Sequence, residues 1–233
     1  NTTSTRRANA VAFDVRERGR VKRKGDPLTG EIVRDASGEP VWEPGTLASV
    51  KATENALGIQ ISPQTHKLRT VLKHAENADS HLLHIYFLVA PDLLGAPSVF
   101  PLVPTHTEVV VRALRMKRFC HEWGALLGGR TTHPTRVIPG GFAEYPRESD
   151  LTALRDRLVG FQPELDATVE TIGSVAGKIP AFERPTEYMA LSSDTEYAVY
   201  DGAVQTVMPD GTKQRWPISD YRSCPNESAV PQP

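Results

Sequence analysis

The chain has 233 residues, of which 39% are hydrophobic, so it can form one sizeable core with a small addition. Its formal net charge is −1, with 24% charged residues. This balance argues against a general nucleic-acid binder, which would carry a basic excess. The basic run at residues 16–24 is local, and we interpret it as a solvated segment.

Three features predict a cytoplasmic protein. The two cysteines, Cys120 and Cys224, are too few for a disulfide framework, and their spacing fits no zinc or iron–sulfur pattern. The longest apolar stretch, at residues 81–95, is interrupted and falls short of the ~20 residues that a membrane span needs. The N-terminal residues show no apolar region of a secretory signal. We therefore expect no membrane association.

The N-terminal third of the chain predicts an irregular segment followed by a helix. Residues 1–45 are rich in charge, glycine and proline, with a weak hairpin around residues 35–38. A helix is predicted over residues 46–57. Thr46 is a suitable N-cap for it, and Gly58 is suited to the position just after its end.

A longer helix is predicted over residues 62–89, where apolar residues recur at steps of three and four. Ser62 is its expected N-cap, and Pro63 occupies the first helical position, where its missing N–H is harmless. Pro91 is expected to end it, because proline cannot continue a helical hydrogen-bond ladder.

Two further helices are predicted before residue 180. One covers residues 105–127 and stops at Gly128-Gly129. Its expected buried face comprises Val109, Val110, Ala113, Met116, Phe119, Cys120, Trp123 and Leu127. The other covers residues 149–175, capped by Ser149-Asp150, and Pro163 predicts a break near residues 160–163. Its expected apolar face comprises Leu151, Leu154, Leu158, Phe161, Leu165, Val169 and Ile172.

After Pro180 the apolar period changes to that of strands. Short β-type runs cover residues 188–192, 196–200 and 203–208, and Asp-Gly pairs follow the last two. The predicted fold class is therefore mainly α with a small β part: an antiparallel helical bundle plus a short antiparallel β-meander. The predicted domains are an irregular segment (1–45), a helical bundle (46–180), a β-meander (181–222) and a disordered tail (223–233).

The loop after the third helix reads GGRTTHPTRVIPGGF, at residues 128–142. Glycines permit positive φ and close backbone approach, and prolines restrict the chain. Such a loop presents Arg130 and His133 in few conformations, as a positioned functional group requires. The residues alone favour an interface or site loop about as strongly as a purely structural turn.

Four histidines on the second helix could bind a metal: His66, His74, His81 and His84. His81 and His84 are helical neighbours, but the nearby carboxylates lack the Glu-x-x-His spacing of a di-iron site. The more ordinary interpretation is a set of hydrogen-bonding helix residues.

Three segments in order resemble the large (alpha) subunit of nickel–iron hydrogenases of the cytosolic, multi-subunit group. They read TLASVKATENALGIQISP, HKLRTVLKHAENADSHLLHIYFLVAPDLLG and GGRTTHPTRVIPGGF, and EYMALSSDTEYAVYDGAVQTV is similar to that group's sheet insertion. The resemblance covers about residues 47–221. It implies that the loop lies near an iron–sulfur small subunit, so that Arg130, His133 and Pro134 face a partner, shaped by Gly128, Gly129, Gly140 and Gly141. His81 and His84 would be packing groups or lie near the centre without binding it.

The family's nickel–iron centre, with cyanide and carbonyl ligands, is held by two Cys-x-x-Cys pairs. Where the resemblance places the first pair, this sequence reads PVWEPGTLAS, and Cys224 has no partner at that spacing. The family's N-terminal Arg-x-Glu-Gly-His element has no counterpart either. Nickel and iron need those soft thiolates. We therefore expect no metal ligand, no catalytic residue and no bound cofactor in this chain.

Three functions remain open from the sequence. The first is a partial or degenerate hydrogenase large subunit, a structural member of a hetero-oligomeric oxidoreductase complex that is not catalytically competent by itself. The second is a stand-alone helical binding or scaffold protein. The third is a histidine-ligated metal protein. The electron acceptor and the oligomeric state are not determined by the sequence.

Overall fold

The computed structural model describes residues 45–181 and 183–224. The hairpin predicted near residues 35–38, almost all of the irregular segment and most of the predicted tail lie outside these residues. The chain divides into two compact units, Asn1–Ser174 and Val175–Pro233. Each is described by itself.

The described part of the first unit is mainly helical. Its elements are α1 (Gly45–Leu57), α2 (Pro63–Leu83), a π-helical turn (His84–Val89), α3 (Ala90–Leu94), a 3₁₀ turn (Phe100–Leu102), α4 (Thr107–Gly128), α5 (Glu148–Gly160) and α6 (Gln162–Val175). A small two-stranded antiparallel sheet, β1 (Val137–Ile138) and β2 (Gly141–Phe142), lies in the loop after α4. This hairpin was not predicted. No described helix is long and apolar enough to cross a bilayer.

The helix termini follow the sequence signals in part. The Ser62 side chain accepts a hydrogen bond from the Thr65 N–H, as predicted for an N-cap, and Gly58 has a left-handed φ of 68°. The predicted cap at Thr46 is wrong, since α1 already includes Gly45. The cap predicted at Ser149-Asp150 is also wrong. Arg147 occupies the N-cap position, and its guanidinium pairs with the Asp150 carboxylate in the first turn.

Pro91 does not end the second helix. The α-helical ladder widens into the π-helical turn before Pro91, where the Ala90 N–H donates to the Ile85 carbonyl. This extra residue in the turn accommodates the proline ring, which would otherwise meet the carbonyl four residues earlier. The chain then continues as α3 and ends at Gly95, whose φ is 70°.

The core of this unit lies between α2 and α4. A cluster of buried residues joins the end of α2 and its π-helical turn to the middle of α4: Leu82, Tyr86, Ala113, Met116 and Cys120. Nearer the start of α2, Asp79 forms an ion pair with Lys117 of α4. The predicted buried face of α4 is confirmed. Seven of its eight residues are buried and Val109 is half-buried.

The predicted fourth helix breaks into α5 and α6 at Phe161, close to the expected position. Its predicted apolar face is only partly buried. Leu154 is buried and Phe161 stacks on Phe119 of α4, with ring centroids 4.6 Å apart. However, Leu158, Leu165 and Val169 are exposed. Apolar spacing identifies a face but does not supply a partner for it.

The second unit contains a three-stranded antiparallel sheet of β3 (Tyr188–Ser192), β4 (Ala203–Val207) and β5 (Lys213–Trp216), in that order. The strand predicted at residues 196–200 is absent there, and this stretch belongs to the connection between β3 and β4. That connection ends at Gly202, where a Cβ would lie 2.7 Å from the Ser192 carbonyl oxygen. The polar strand β5 gave no alternating apolar signal and was missed.

Candidate functional site

The loop at residues 128–142 closes tightly on the end of α4. Gly129 ends the helix with φ 83°, and the Gly128 carbonyl accepts hydrogen bonds from the N–H groups of Thr135 (2.8 Å) and Arg136 (3.0 Å). A Cβ on Gly128 would lie 3.1 Å from Pro134 Cβ, and one on Gly129 would lie 2.8 Å from Arg136 Cγ. A side chain at Gly129 would therefore be strained by both its positive φ and this contact, and one at Gly128 would be tightly packed against Pro134.

Residues 129–134 bulge outward from this closed base. The Arg130 side chain is exposed in the bulge, and His133 is half-buried. His133 has a φ of 57°, a left-handed conformation that is uncommon outside glycine. The loop therefore holds the His133 backbone in a sparsely populated conformation.

The Arg136 side chain also holds the closed base of the loop, through contacts on either side of it. Its Nη1 donates to the Leu126 carbonyl of α4 at 3.0 Å, and its Nη2 lies 2.7 Å from a Glu144 carboxylate oxygen. The Ala143 N–H donates to the Arg136 carbonyl at 2.7 Å, just past the β1–β2 hairpin. The hairpin thus continues directly from the base of the bulge.

The turn of the hairpin rests on a buried ion pair between α1 and α2. The Arg69 guanidinium binds the Glu54 carboxylate through two bonds, Nη1 to Oε2 at 2.8 Å and Nη2 to Oε1 at 2.7 Å. Arg69 is fully buried and Glu54 is 4% exposed. Such a pair tolerates burial because the geometry is bidentate and because Arg69 Nη2 and Glu54 Oε1 each have further hydrogen-bond partners.

Those further partners are backbone atoms of the turn. Arg69 Nη2 also donates to the carbonyl oxygens of Ile138 (3.0 Å) and Gly141 (3.3 Å), and the Gly140 N–H donates to Glu54 Oε1 at 2.7 Å. Gly140 has φ 89°, the left-handed region that glycine adopts without strain. Two side chains from two helices thus bind three backbone groups of one turn.

A second contact fixes the turn from the side. The hydroxyls of Tyr145 and Thr65 lie 2.9 Å apart, and Thr65 also belongs to the Ser62 cap of α2. A Cβ on Gly141 would lie 2.9 Å from the Tyr145 hydroxyl, so a larger residue here would displace that side chain.

Burial would raise the pKa of the Glu54 carboxyl, but its hydrogen bonds from Arg69 and Gly140 and the positive charges of Arg69 and Lys51 outweigh that effect. The pKa of Glu54 lies below its ordinary value of 4.5. The carboxylate is therefore ionised wherever the protein works near neutral pH, and the pair is fully charged.

The predicted helix histidines are not joined to this loop. His81 and His84 are exposed, and no hydrogen bond or ion pair connects their side chains to loop residues within the described ranges. The neighbouring Asp79 instead bonds Lys117 and lies 3.3 Å from the His121 ring. The described residues bring together no group of three or more histidine, cysteine, aspartate or glutamate side chains that could hold a metal ion.

The two cysteines do not form a thiolate site. Cys120 is buried in the α2–α4 core, where desolvation and the Asp79 charge raise its thiol pKa to about 11 in spite of Lys117. Cys224 belongs to the other compact unit, and it is half-buried. A centre that needs four thiolates does not fit the donors of the described residues.

Sequence reasoning missed Glu54, Arg69 and Tyr145. A signal was present for the arginine. Arg69 lies one helical turn from Thr65 and from Leu72, within the apolar stripe of α2, where a charged residue must find a buried partner. Its partner could not be chosen from the sequence, because Glu54 is 15 residues away on another helix.

The mainly helical chain with its small antiparallel sheets has relatives among hydrogenases. It is 39% identical over 111 residues to the alpha subunit of sulfhydrogenase 2 from Pyrococcus furiosus, covering 48% of this chain and 27% of the relative. It is 31% identical over 186 residues to a subunit of the vhu F420-non-reducing hydrogenase from Methanococcus voltae, covering 72% of this chain and 43% of the relative. No protein-family model matches.

A crystal structure of an NAD+-reducing [NiFe]-hydrogenase in the H2-reduced state has the same fold. The TM-score is 0.68 at 25% identity, covering 76% of this chain and 43% of that one. These findings confirm the resemblance to nickel–iron hydrogenase large (alpha) subunits that the sequence motifs indicated. It spans less than half the length of these relatives.

Proposed function

We propose that this chain serves as a section of a large subunit in a cytoplasmic, hetero-oligomeric oxidoreductase complex of the hydrogenase type. On this proposal the loop at residues 128–142 faces the iron–sulfur small subunit of that complex. We also propose that α2 and α4 belong to an antiparallel bundle, and that the sheet of the second unit is the meander inserted in the cytosolic group.

One observation carries the role of the loop. Its backbone is fixed by close glycine packing and by the buried Glu54–Arg69 pair, yet the bulge it supports leaves Arg130 exposed and holds His133 in a left-handed conformation. A purely structural turn does not need an arginine at its tip. A rigid base with polar groups on the bulge is the arrangement that a specific protein contact uses.

The section does not supply a hydrogen-activating centre on this proposal. The described residues offer no thiolate set, and the buried Cys120 remains a neutral thiol near neutral pH. We therefore propose that these residues support the fold and a partner contact, and that they neither bind nickel nor transfer electrons.

The test measures binding of the small subunit of the same complex. We expect Arg130→Ala and His133→Ala each to weaken that binding about tenfold, as loss of a central contact in an interface does. Arg155→Ala is the matched control, because it removes an exposed guanidinium that pairs only with the adjacent Asp156 among the described residues. Equal affinity of all three variants and the unchanged chain would refute the proposal.

A further inference from the structure

We infer that Glu54 and Arg69 are positioning residues that set where the partner-facing loop stands on the helices. This inference rests on the proposed function, since it assigns a role to residues that support the same loop. They act on the exposed bulge through the β1–β2 turn.

The pair is placed to fix the turn relative to two helices at once. Glu54 lies on α1 and Arg69 lies on α2, and their side chains bind each other beneath the turn. Arg69 also donates to the Ile138 and Gly141 carbonyls, and Glu54 also accepts from the Gly140 N–H. The turn can move only if these bonds break, because both side chains are buried and water cannot replace them.

Stability alone does not account for this arrangement. A buried ion pair can often be replaced by apolar residues of similar volume without loss of stability, because desolvation offsets much of the charge attraction. What apolar side chains cannot provide is a set of directional bonds to one N–H and two carbonyls. The pair therefore selects one position of the turn among several that would pack equally well.

The position of the turn is passed on to the bulge over a short distance along the chain. The strand β1 joins the turn to Arg136, whose N–H bonds the Gly128 carbonyl at the base of the bulge. The base is therefore held from α4 on one side and from α1 and α2 on the other. Loss of the pair leaves the α4 side intact and releases the other.

The experiment compares two double variants that each remove one positive and one negative charge. Glu54→Leu with Arg69→Met removes the pair without leaving an unpaired buried charge. Lys73→Met with Glu76→Leu is the control, since this half-exposed pair on α2 bonds within its own helix. Hydrogen exchange at the Gly140 amide and the dissociation constant for the small subunit are measured on both, with circular dichroism to establish folding.

We expect the first double variant to speed Gly140 exchange about tenfold, to weaken small-subunit binding about tenfold, and to keep the helix content of the control. Faster exchange with unchanged affinity, where Arg130→Ala does weaken binding, would overturn the positioning role. Unchanged exchange would overturn it as well. If the double variant does not fold, Glu54→Gln is measured in the same way, with smaller changes in the same direction expected.

Failure of the proposed function gives a different result. If neither Arg130→Ala nor His133→Ala weakens binding, the loop does not face the small subunit. Exchange at Gly140 then decides the inference alone: faster exchange supports the pair as the device that holds the turn, and unchanged exchange overturns it.

Discussion

The α2–α4 core and the base of the loop are both buried, but different forces hold them. Between the helices, Leu82, Ala113 and Met116 are in apolar contact, and the free energy comes from area removed from water. At the base of the loop, Glu54 and Arg69 are buried in their charged forms, and they contribute hydrogen bonds of fixed direction. The first kind of contact tolerates small shifts, whereas the second requires one geometry.

The largest expected effect is the loss of one partner of the ion pair. Arg69→Ala leaves the Glu54 carboxylate buried without its counter-charge, and we expect it to lower the free energy of unfolding by about 3–5 kcal/mol. Leu82→Ala in the apolar core is expected to cost about 2–5 kcal/mol through lost burial and a cavity. Urea unfolding followed by circular dichroism measures both.

The two changes differ once the partner is also removed. Adding Glu54→Leu to an Arg69→Met chain should restore most of the lost stability, because no charge is then left unpaired. No second substitution should restore Leu82→Ala in this simple way. If the double variant with Glu54→Leu and Arg69→Met is as unstable as Arg69→Ala, the ion pair contributes stability as well as direction. The contrast between the two regions then fails.

Acid provides the next test, because the loop base contains a buried carboxylate and the apolar cluster between α2 and α4 does not. The pKa of Glu54 is lower in the folded chain than its ordinary value of 4.5, so its contribution to stability is present above that pH and is lost as the pH falls through the folded pKa. We expect the acid loss of stability to be shallower in the chain with Glu54→Leu and Arg69→Met. The control is Lys73→Met with Glu76→Leu, and equal acid profiles of the two double variants would contradict the assignment.

The smallest expected effect concerns the exposed side of α6. Val169 continues the apolar spacing of this helix but is 73% exposed. We expect Val169→Ser to change the free energy of unfolding by less than about 0.5 kcal/mol, as surface substitutions usually do. A loss as large as that of Leu82→Ala, measured in the same urea titration, would mean that this face is buried in solution.

Local signals were sufficient for much of the helical part. Ser62 caps α2, Gly58 and Gly129 follow helix ends in left-handed conformations, and the buried face of α4 agrees with its apolar spacing. These features depend on residues within a turn or two of one another, which is the range over which capping and periodicity act. The same reasoning failed at Pro91, because a π-helical turn is not visible in an apolar pattern.

In the loop, too, some features could be predicted from the sequence and others were determined only by the tertiary structure. Its glycines and prolines indicated a restricted backbone, and the motif indicated the hydrogenase large-subunit family, both from the sequence by itself. Only the tertiary structure brought Glu54 and Arg69 together beneath residues 138–141, since these three segments are far apart in the chain. A charged residue in an apolar stripe predicts a buried partner, but the packing of the helices determines which residue that partner is.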